Sequence, residues 1–363
     1  MTLNSVSNLL LNLFLDNDRQ WDKDEIDKMR WLISKGPEFK EVANDNRVLL
    51  RGLEKLIPLV ETVSWREESN FITYLKDNQK SEMTRVSKSI ALAYSVQNTF
   101  EEEGIKSVAF KTMDNFPDLG RDLDLLIPDK EHFAKAKKIM SRDFGWKPAD
   151  KLSFCDTVVG KTFYTKEEDY DISVELYPRH SQLGEEYMSD VNIVERRIKE
   201  NTGGYDFFVP SNEDKLLIQA IHRIYRHAVL RISDIVNVCN WANSRKIDWR
   251  KVMVDAKNSG AVSGLILFLG TIDFIYQQTC GHHLPLPTLF QGKTFELQYS
   301  SKLVQREFPA KMPYFSTASV ILRKIGDDVS RGKVRSASKV ATMPILIGMT
   351  FITYNFFGRN YIW

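Results

Sequence analysis

Two aspartates two residues apart, Asp122 and Asp124, interrupt the apolar run Gly120-Arg121-Asp122-Leu123-Asp124-Leu125-Leu126-Ile127. Read as a strand, the run turns Leu123, Leu125 and Ile127 to one face and both acids to the other. Their Cα atoms then lie roughly 6.5–7 Å apart, two rises of a strand. Carboxylates so placed repel each other unless a cation sits between them. Hard ions such as Mg²⁺ take oxygen ligands of this kind and share them with substrate phosphates.

A third acid has a similar setting downstream. In Asp171-Ile172-Ser173-Val174-Glu175-Leu176-Tyr177 the apolar residues Ile172, Val174 and Leu176 form one face, and Glu175 stands mid-strand on the other. A carboxylate there is costly unless paired or metal-bound. Asp-x-Asp on one strand, a helix, and a later strand with a central acid bring three carboxylates to one edge. That arrangement suits metal ions clamping a nucleoside triphosphate for in-line displacement.

On these residues, with Phe110-Lys111 before them and Val174-Glu175-Leu176 after, the chain resembles the nucleotidyltransferase superfamily of the polymerase-β fold. It is most similar to the bacterial uncharacterised nucleotidyltransferases that carry a C-terminal helical region. A second tract, from Val209-Pro210-Ser211-Asn212-Glu213-Asp214 through His222 to Arg231-Ile232-Ser233-Asp234-Ile235, supports the likeness, which covers roughly residues 85–260. The resemblance implies an α+β fold, a small mixed-sheet core flanked by N- and C-terminal helical regions. It also implies transfer of a nucleoside monophosphate from an NTP to a small-molecule or macromolecular acceptor, with release of pyrophosphate. Asp122, Asp124 and Glu175 would be the catalytic, metal-holding acids, with Mg²⁺ or Mn²⁺ as cofactor. Lys111, Gly120, Arg121, Arg223 and Arg226 would contact substrate.

One position departs from the family's pattern. Where a glycine pair, Gly-Ser or Lys-Gly usually ends the first strand, Thr112 follows Lys111, and only Met113 to Leu119 precede Gly120. The phosphate-holding turn must then be built differently, from Asn115 to Gly120. The departure leaves open an alternative, a catalytically inactive member that serves as a binding or membrane-associated accessory factor.

The elements that must position these groups can be placed by periodicity. Residues 1–85 read as helical, through Leu9, Leu10, Leu13 and Phe14 and again through Leu49, Leu50, Leu53, Ile57 and Val60, with Gly36-Pro37 as a break. A helix is expected from Val86 to Gly104, a first strand over Ile105–Phe110, and a helix from Pro128-Asp129 to Phe144. Strands follow over Leu152–Val159, Lys161–Thr165 and Tyr170–Tyr177. Neither Gly160-Lys161-Thr162 nor Gly292-Lys293-Thr294 has the upstream glycine of a phosphate-binding loop, so both read as hairpin or loop residues. Arg179-His180 could touch substrate, but read more simply as a solvated loop.

A helix is expected from Asn212 to about Arg231, with Ser211 and Asp214 at capping-box spacing. Its basic row of His222, Arg223, Arg226 and His227 would bind a triphosphate or an acidic substrate if it faced the cleft, and would be plain solvation if it faced out. Arg231 and Asp234, one turn apart, read as a structural ion pair. Ser263–Phe274 reads as a buried helix and Cys280-Gly281-His282-His283 as a loop. The resulting division is a helical region (1–85), a catalytic core (86–185), a helical acceptor-side domain (186–300) and a basic, then apolar, C-terminal region (301–363).

Fifty Lys and Arg against 48 Asp and Glu give a net charge of +2, which offers no whole-molecule argument for nucleic acid. The basic tract Lys302–Lys339 keeps a nucleic-acid acceptor open. The apolar stretch Val340–Phe357 behind it would suit peripheral contact with a membrane, or packing on protein. The scattered Cys155, Cys239 and Cys280, and an N-terminus without a secretory signal pattern, fit a cytoplasmic protein, with membrane association at the inner face if the tail binds lipid.

Overall fold

The computed structural model describes all residues except 1–4, 17–20, 35, 63–68, 149–160, 166–172, 181–186, 245, 291–307, 313 and 343–363. The expected strand over Leu152–Val159 and most of the apolar stretch Val340–Phe357 lie outside the described residues. The chain begins with α1 (Val6–Leu15), α2 (Lys23–Ser34), α3 (Gly36–Asp45), α4 (Leu49–Thr62) and α5 (Ser69–Glu102). Gly36-Pro37 separates two helices as expected, because proline fits the first turn of a helix but not its interior. The helix expected from Val86 starts at Ser69 instead and runs straight through that position.

The core is a five-stranded mixed sheet ordered β1-β2-β5-β4-β3. Its strands are β1 (Val108–Ala109), β2 (Asp122–Leu126), β3 (Lys147–Pro148), β4 (Thr162–Thr165) and β5 (Ser173–Tyr177), with α6 (Lys130–Arg142) between β2 and β3. β2 and β5 are parallel neighbours, and every other pairing in the sheet is antiparallel. Asp129 caps α6, its side chain accepting from the His132 N–H at 2.8 Å.

The alternation read from the sequence governs the packing. Leu123, Leu125, Val174 and Leu176 are buried with Val96 and Phe100 of α5 and Ala136, Ile139 and Met140 of α6 in one apolar cluster. On the opposite face Leu126 and Tyr177 join a second and larger cluster built mainly from helices. The acids of β2 and β5 share this second face with Leu126 and Tyr177. At about 25 cal/mol per Å² of apolar surface removed from water, such burial on both sides is what fixes the register.

After the sheet come α7 (Asp190–Glu195), the hairpin β6 (Ile198–Thr202) and β7 (Tyr205–Val209), and α8 (Asn212–Ile221). Ser211 caps α8, accepting from the Asp214 N–H at 3.3 Å. The helix expected to reach Arg231 does not stay α-helical. From His222 to His227 it widens into a π segment, ends at Ala228 in the left-handed region (φ 48°), and passes into β8 (Val229–Leu230). Then follow α9 (Ile232–Asn243), α10 (Trp249–Ser259) and the buried α11 (Val262–Cys280), which extends beyond Ser263–Phe274 at both ends. β9 (Ala310–Lys311) pairs with β8, and α12 (Tyr314–Ser330) follows. The fold is therefore α+β, a small mixed sheet flanked by helices. Among the described residues no helix is long and apolar enough to cross a membrane.

Candidate active site

Asp124 and Glu175 are register partners across the parallel pair β2–β5, and Asp122 is the partner of Ser173. The three acids line one cavity of about 310 Å³, as the alternation required. Asp122 is exposed and accepts a hydrogen bond from the Ser173 hydroxyl at 2.6 Å. Arg121 does not pair with it. Arg121 offers its carbonyl to the Ser173 N–H at 2.8 Å and leaves its side chain exposed.

Burial in the cleft, against the pull of Lys111 and with Glu175 and Asp122 adding like charge, pushes the Asp124 carboxyl up to about 7. Burial acts on Glu175 in the same direction, but Lys161 and Tyr177 overcome it and hold Glu175 below the usual range. The Lys161 ammonium donates to Glu175 at 2.9 Å, and the Tyr177 hydroxyl donates to its other oxygen. Lys161, read from sequence as a hairpin residue opening a strand, with no role in the site, is thus a site residue. It lies just before β4, on the strand that pairs with β5, and that pairing is the signal that finds it.

Thr112 explains itself structurally. Its hydroxyl accepts from the Asp124 N–H at 3.0 Å and donates to the Asp122 carbonyl at 3.1 Å, stitching the turn after β1 to the acidic strand. The left-handed residue of that turn is Lys111, at φ 65°. The Lys111 ammonium stands 3.9 Å from Asp124 and lies over the rings of Phe110 and Tyr177, at 4.3 Å and 4.6 Å from their centroids. A further acid, Asp114, also lines the cavity. Burial raises its carboxyl, and Lys215 is its charged neighbour at 4.0 Å.

The basic row faces inward. His222, Arg223, Arg226 and His227 all line the cavity from the π segment, a local geometry often found at functional sites. Arg223 is committed to Asp234, its Nε donating at 2.8 Å. Arg231 is therefore not the ion-pair partner expected for Asp234. Only its main-chain N–H donates to that carboxylate, at 2.8 Å. Burial, with Arg226, Arg223, Arg231 and Lys111 nearby, lowers His227 to about 3, and burial beside His227, Lys111 and Arg226 holds His222 well below its ordinary value, which favours the neutral imidazole in both. Their rings meet edge to face with centroids 4.5 Å apart. His180, expected in a solvated loop, is buried and lies edge-on to Phe110 at 5.6 Å, its main-chain N–H donating to Asp190 at 2.8 Å.

The cations sort into two groups. Lys111, Lys161 and Arg223 are held by Asp124, Glu175 and Asp234. Among the described residues the guanidinium groups of Arg47, Arg226 and Arg231 donate to no protein acceptor, and Nε of Arg231 is buried without one. Sequence reasoning missed Arg47, which arrives from the loop between α3 and α4 with φ 55°. It reaches the site because the start of α4 is pinned there. Asp118 accepts from the Leu50 N–H at 2.5 Å and from Arg51 Nε at 2.7 Å, and Arg51 also donates to Asn237 at 3.1 Å.

Among the described residues no three His, Cys, Asp or Glu side chains form a ready-made metal cage. Mg²⁺ rarely needs one, being held commonly by one or two carboxylates plus substrate phosphates. The all-oxygen pair Asp122 and Asp124, with burial holding Asp124 near 7 against the pull of Lys111, fits such a substrate-bridged ion.

A family model described as uncharacterised nucleotidyltransferase matches residues 68–273. No curated protein and no solved structure matches the chain. The matched span contains the three acids, Lys111, Lys161 and the whole π segment, and leaves out Arg47.

Proposed function

Since the chain belongs to the uncharacterised nucleotidyltransferase family, we propose that it moves a nucleoside monophosphate from an NTP to an acceptor and releases pyrophosphate. The observation that carries this reading is the register of Asp124 with Glu175 at the floor of a cleft whose walls hold uncommitted guanidinium groups. Asp122 and Asp124 would hold Mg²⁺, or Mn²⁺ in its place. When bound, such an ion supplies charge neutralisation at the phosphates and polarisation of the α-phosphoryl oxygen.

The chain's own residues supply the rest. Arg226 and Arg231, free of protein partners and aimed into the cavity, bind the phosphate oxygens and take up charge as it shifts to the leaving group. The neutral His222 and His227 add hydrogen-bonding groups without competing charge. Glu175 is kept ionised by Lys161 and Tyr177, so it is present in its basic form throughout the neutral range and accepts the acceptor hydroxyl's proton. The acceptor oxygen forms a bond to the α-phosphorus. The bond from that phosphorus to the bridging oxygen breaks, and pyrophosphate leaves with the electron pair.

Isothermal titration of the full chain with ATP, CTP, GTP and UTP, each with Mg²⁺ or Mn²⁺, tests the reading. Binding of at least one triphosphate that is lost with EDTA supports it. Absence of binding by all four, in protein with an intact melting transition, overturns it.

A further inference from the structure

A second cavity, of about 750 Å³, lies on the other side of Asp122. It meets the acid-floored cavity at three residues that line both, Arg47, Asp122 and Arg231. Asp124 and Glu175 line only the smaller one. A molecule seated in the larger cavity therefore meets the acid-floored cavity at Asp122, and its hydroxyl must cross that edge to come to Glu175.

The charges of the larger cavity are unequally committed. Two of its acids are already spent on protein cations. Glu82 accepts from Arg85 at 2.5 Å, and Asp118 is held by Arg51 and the Leu50 N–H. Arg85 is spent as well, donating to the Leu119 carbonyl at 2.7 Å. On the cationic side Lys40, Arg47, Arg121 and Arg231 line the wall and, among the described residues, their side chains hydrogen-bond no protein acceptor. Arg47 and Arg231 are also partly desolvated. Burial lowers both, and in Arg231 it brings the guanidinium to about 10, so each stands to gain from an anion. A cavity of this size falls within the range of small-molecule sites, roughly 300–1,000 Å³.

We propose that the 750 Å³ cavity is the acceptor compartment and takes a small phosphorylated acceptor, with Lys40 and Arg121 on its phosphate and Arg47 and Arg231 shared between acceptor and triphosphate. The acceptor role rests on the nucleotidyl-transfer reading above, whereas the phosphomonoester site does not. Two of the four cations, Lys40 and Arg47, come from the N-terminal helical region, outside the span the family model matches. The acceptor's identity would thus be read by residues the wider family need not share.

Saturation-transfer NMR on the full chain, with glycerol 3-phosphate and ribose 5-phosphate against glycerol and ribose, provides the test. It is run with and without saturating Mg²⁺ and a non-hydrolysable ATP analogue. Both phosphomonoesters are expected to bind, the neutral parents not, and binding is expected to persist with the nucleotide analogue present. Lys40→Gln should weaken the phosphomonoesters at least fivefold and leave Mg–ATP affinity within twofold. Arg226→Gln should do the reverse, and Arg47→Gln should weaken both. Equal signals from neutral and phosphorylated probes, mutual exclusion by the nucleotide, or a Lys40→Gln effect on Mg–ATP alone would each overturn the assignment. Should the phosphomonoesters bind as expected while no NTP binds, the transfer reaction fails and the phosphate site stands.

Discussion

The guanidinium of Arg47 occupies the space in which a side chain at Gly120 would begin. A methyl group added to Gly120 would lie 2.9 Å from Nη1 of Arg47. Gly120 has no positive φ to demand a glycine, so its smallness serves the neighbour rather than the turn. Gly120→Ala should therefore push the flexible end of Arg47 aside while costing the fold under about 0.5 kcal/mol. Affinity for Mg–ATP should fall about tenfold, ~1.4 kcal/mol. Titration and thermal denaturation together check this, and an unchanged affinity would remove Arg47 from the site.

Asp124 carries a pH signature. Its carboxyl is raised from 3.8 to about 7, so between those values the folded protein holds a proton that the unfolded chain has lost. Stability must then fall as pH rises through that window, and level off above it. Asp124→Asn abolishes this fall, and in EDTA the variant should melt several degrees above the parent at pH 8, at about 2–4 °C per kcal/mol. At pH 4 the two should converge. Parallel melting curves across the series would contradict the raised value. The same substitution should cut transfer activity by at least ~100-fold, since it removes a ligand rather than a ligand's support.

Lys161 and Glu175 form a pair with side chains only 12% and 9% exposed. Removing one member strands the other, so Lys161→Met should cost about 3–5 kcal/mol. Adding Glu175→Leu to that variant should recover most of the loss without restoring activity. A double-mutant cycle in urea measures the coupling, and additive losses would show that the two charges do not depend on each other.

Thr112→Val keeps the shape of the side chain and deletes both bonds to the acidic strand. Leaving the Asp124 N–H without its acceptor should cost about 1–3 kcal/mol. A loosened strand should lower kcat more than it raises KM, while Thr112→Ser should retain both. Steady-state kinetics of the three proteins, with the melting points alongside, separate a positioning role from a merely structural one.

The part of the site that was legible in sequence is the part made by local alternation. Asp122, Asp124 and Glu175 stand among apolar neighbours at period two, and burying one face of a strand leaves no freedom in where the other points. The helix start at Pro128-Asp129 and the cap at Ser211 were legible for a similar reason, being set within three residues. What escaped depends on distant segments. Arg47 has no motif around it and reaches the cleft only because Asp118 pins the next helix. Lys161 sits in a triplet that fails as a phosphate loop, and its partner lies on the adjoining strand. Arg231 and Asp234 have the spacing of an ion pair, yet Arg223 claims the carboxylate from a neighbouring helix.

The π segment His222–His227 runs directly into β8, whose Val229 and Leu230 are zipped to Lys311 and Ala310 far along the chain. One residue of α-helix turns the side chains by about 100°, since 3.6 residues complete a turn. Deleting a single residue within the wide turn shortens the path between Ile221 and Val229. Either Arg226 swings away from the cleft or the zipper to Ala310 slips. Through Ala228, the pairing of β8 with β9 anchors the end of the turn that carries Arg223 and Arg226 into the cleft.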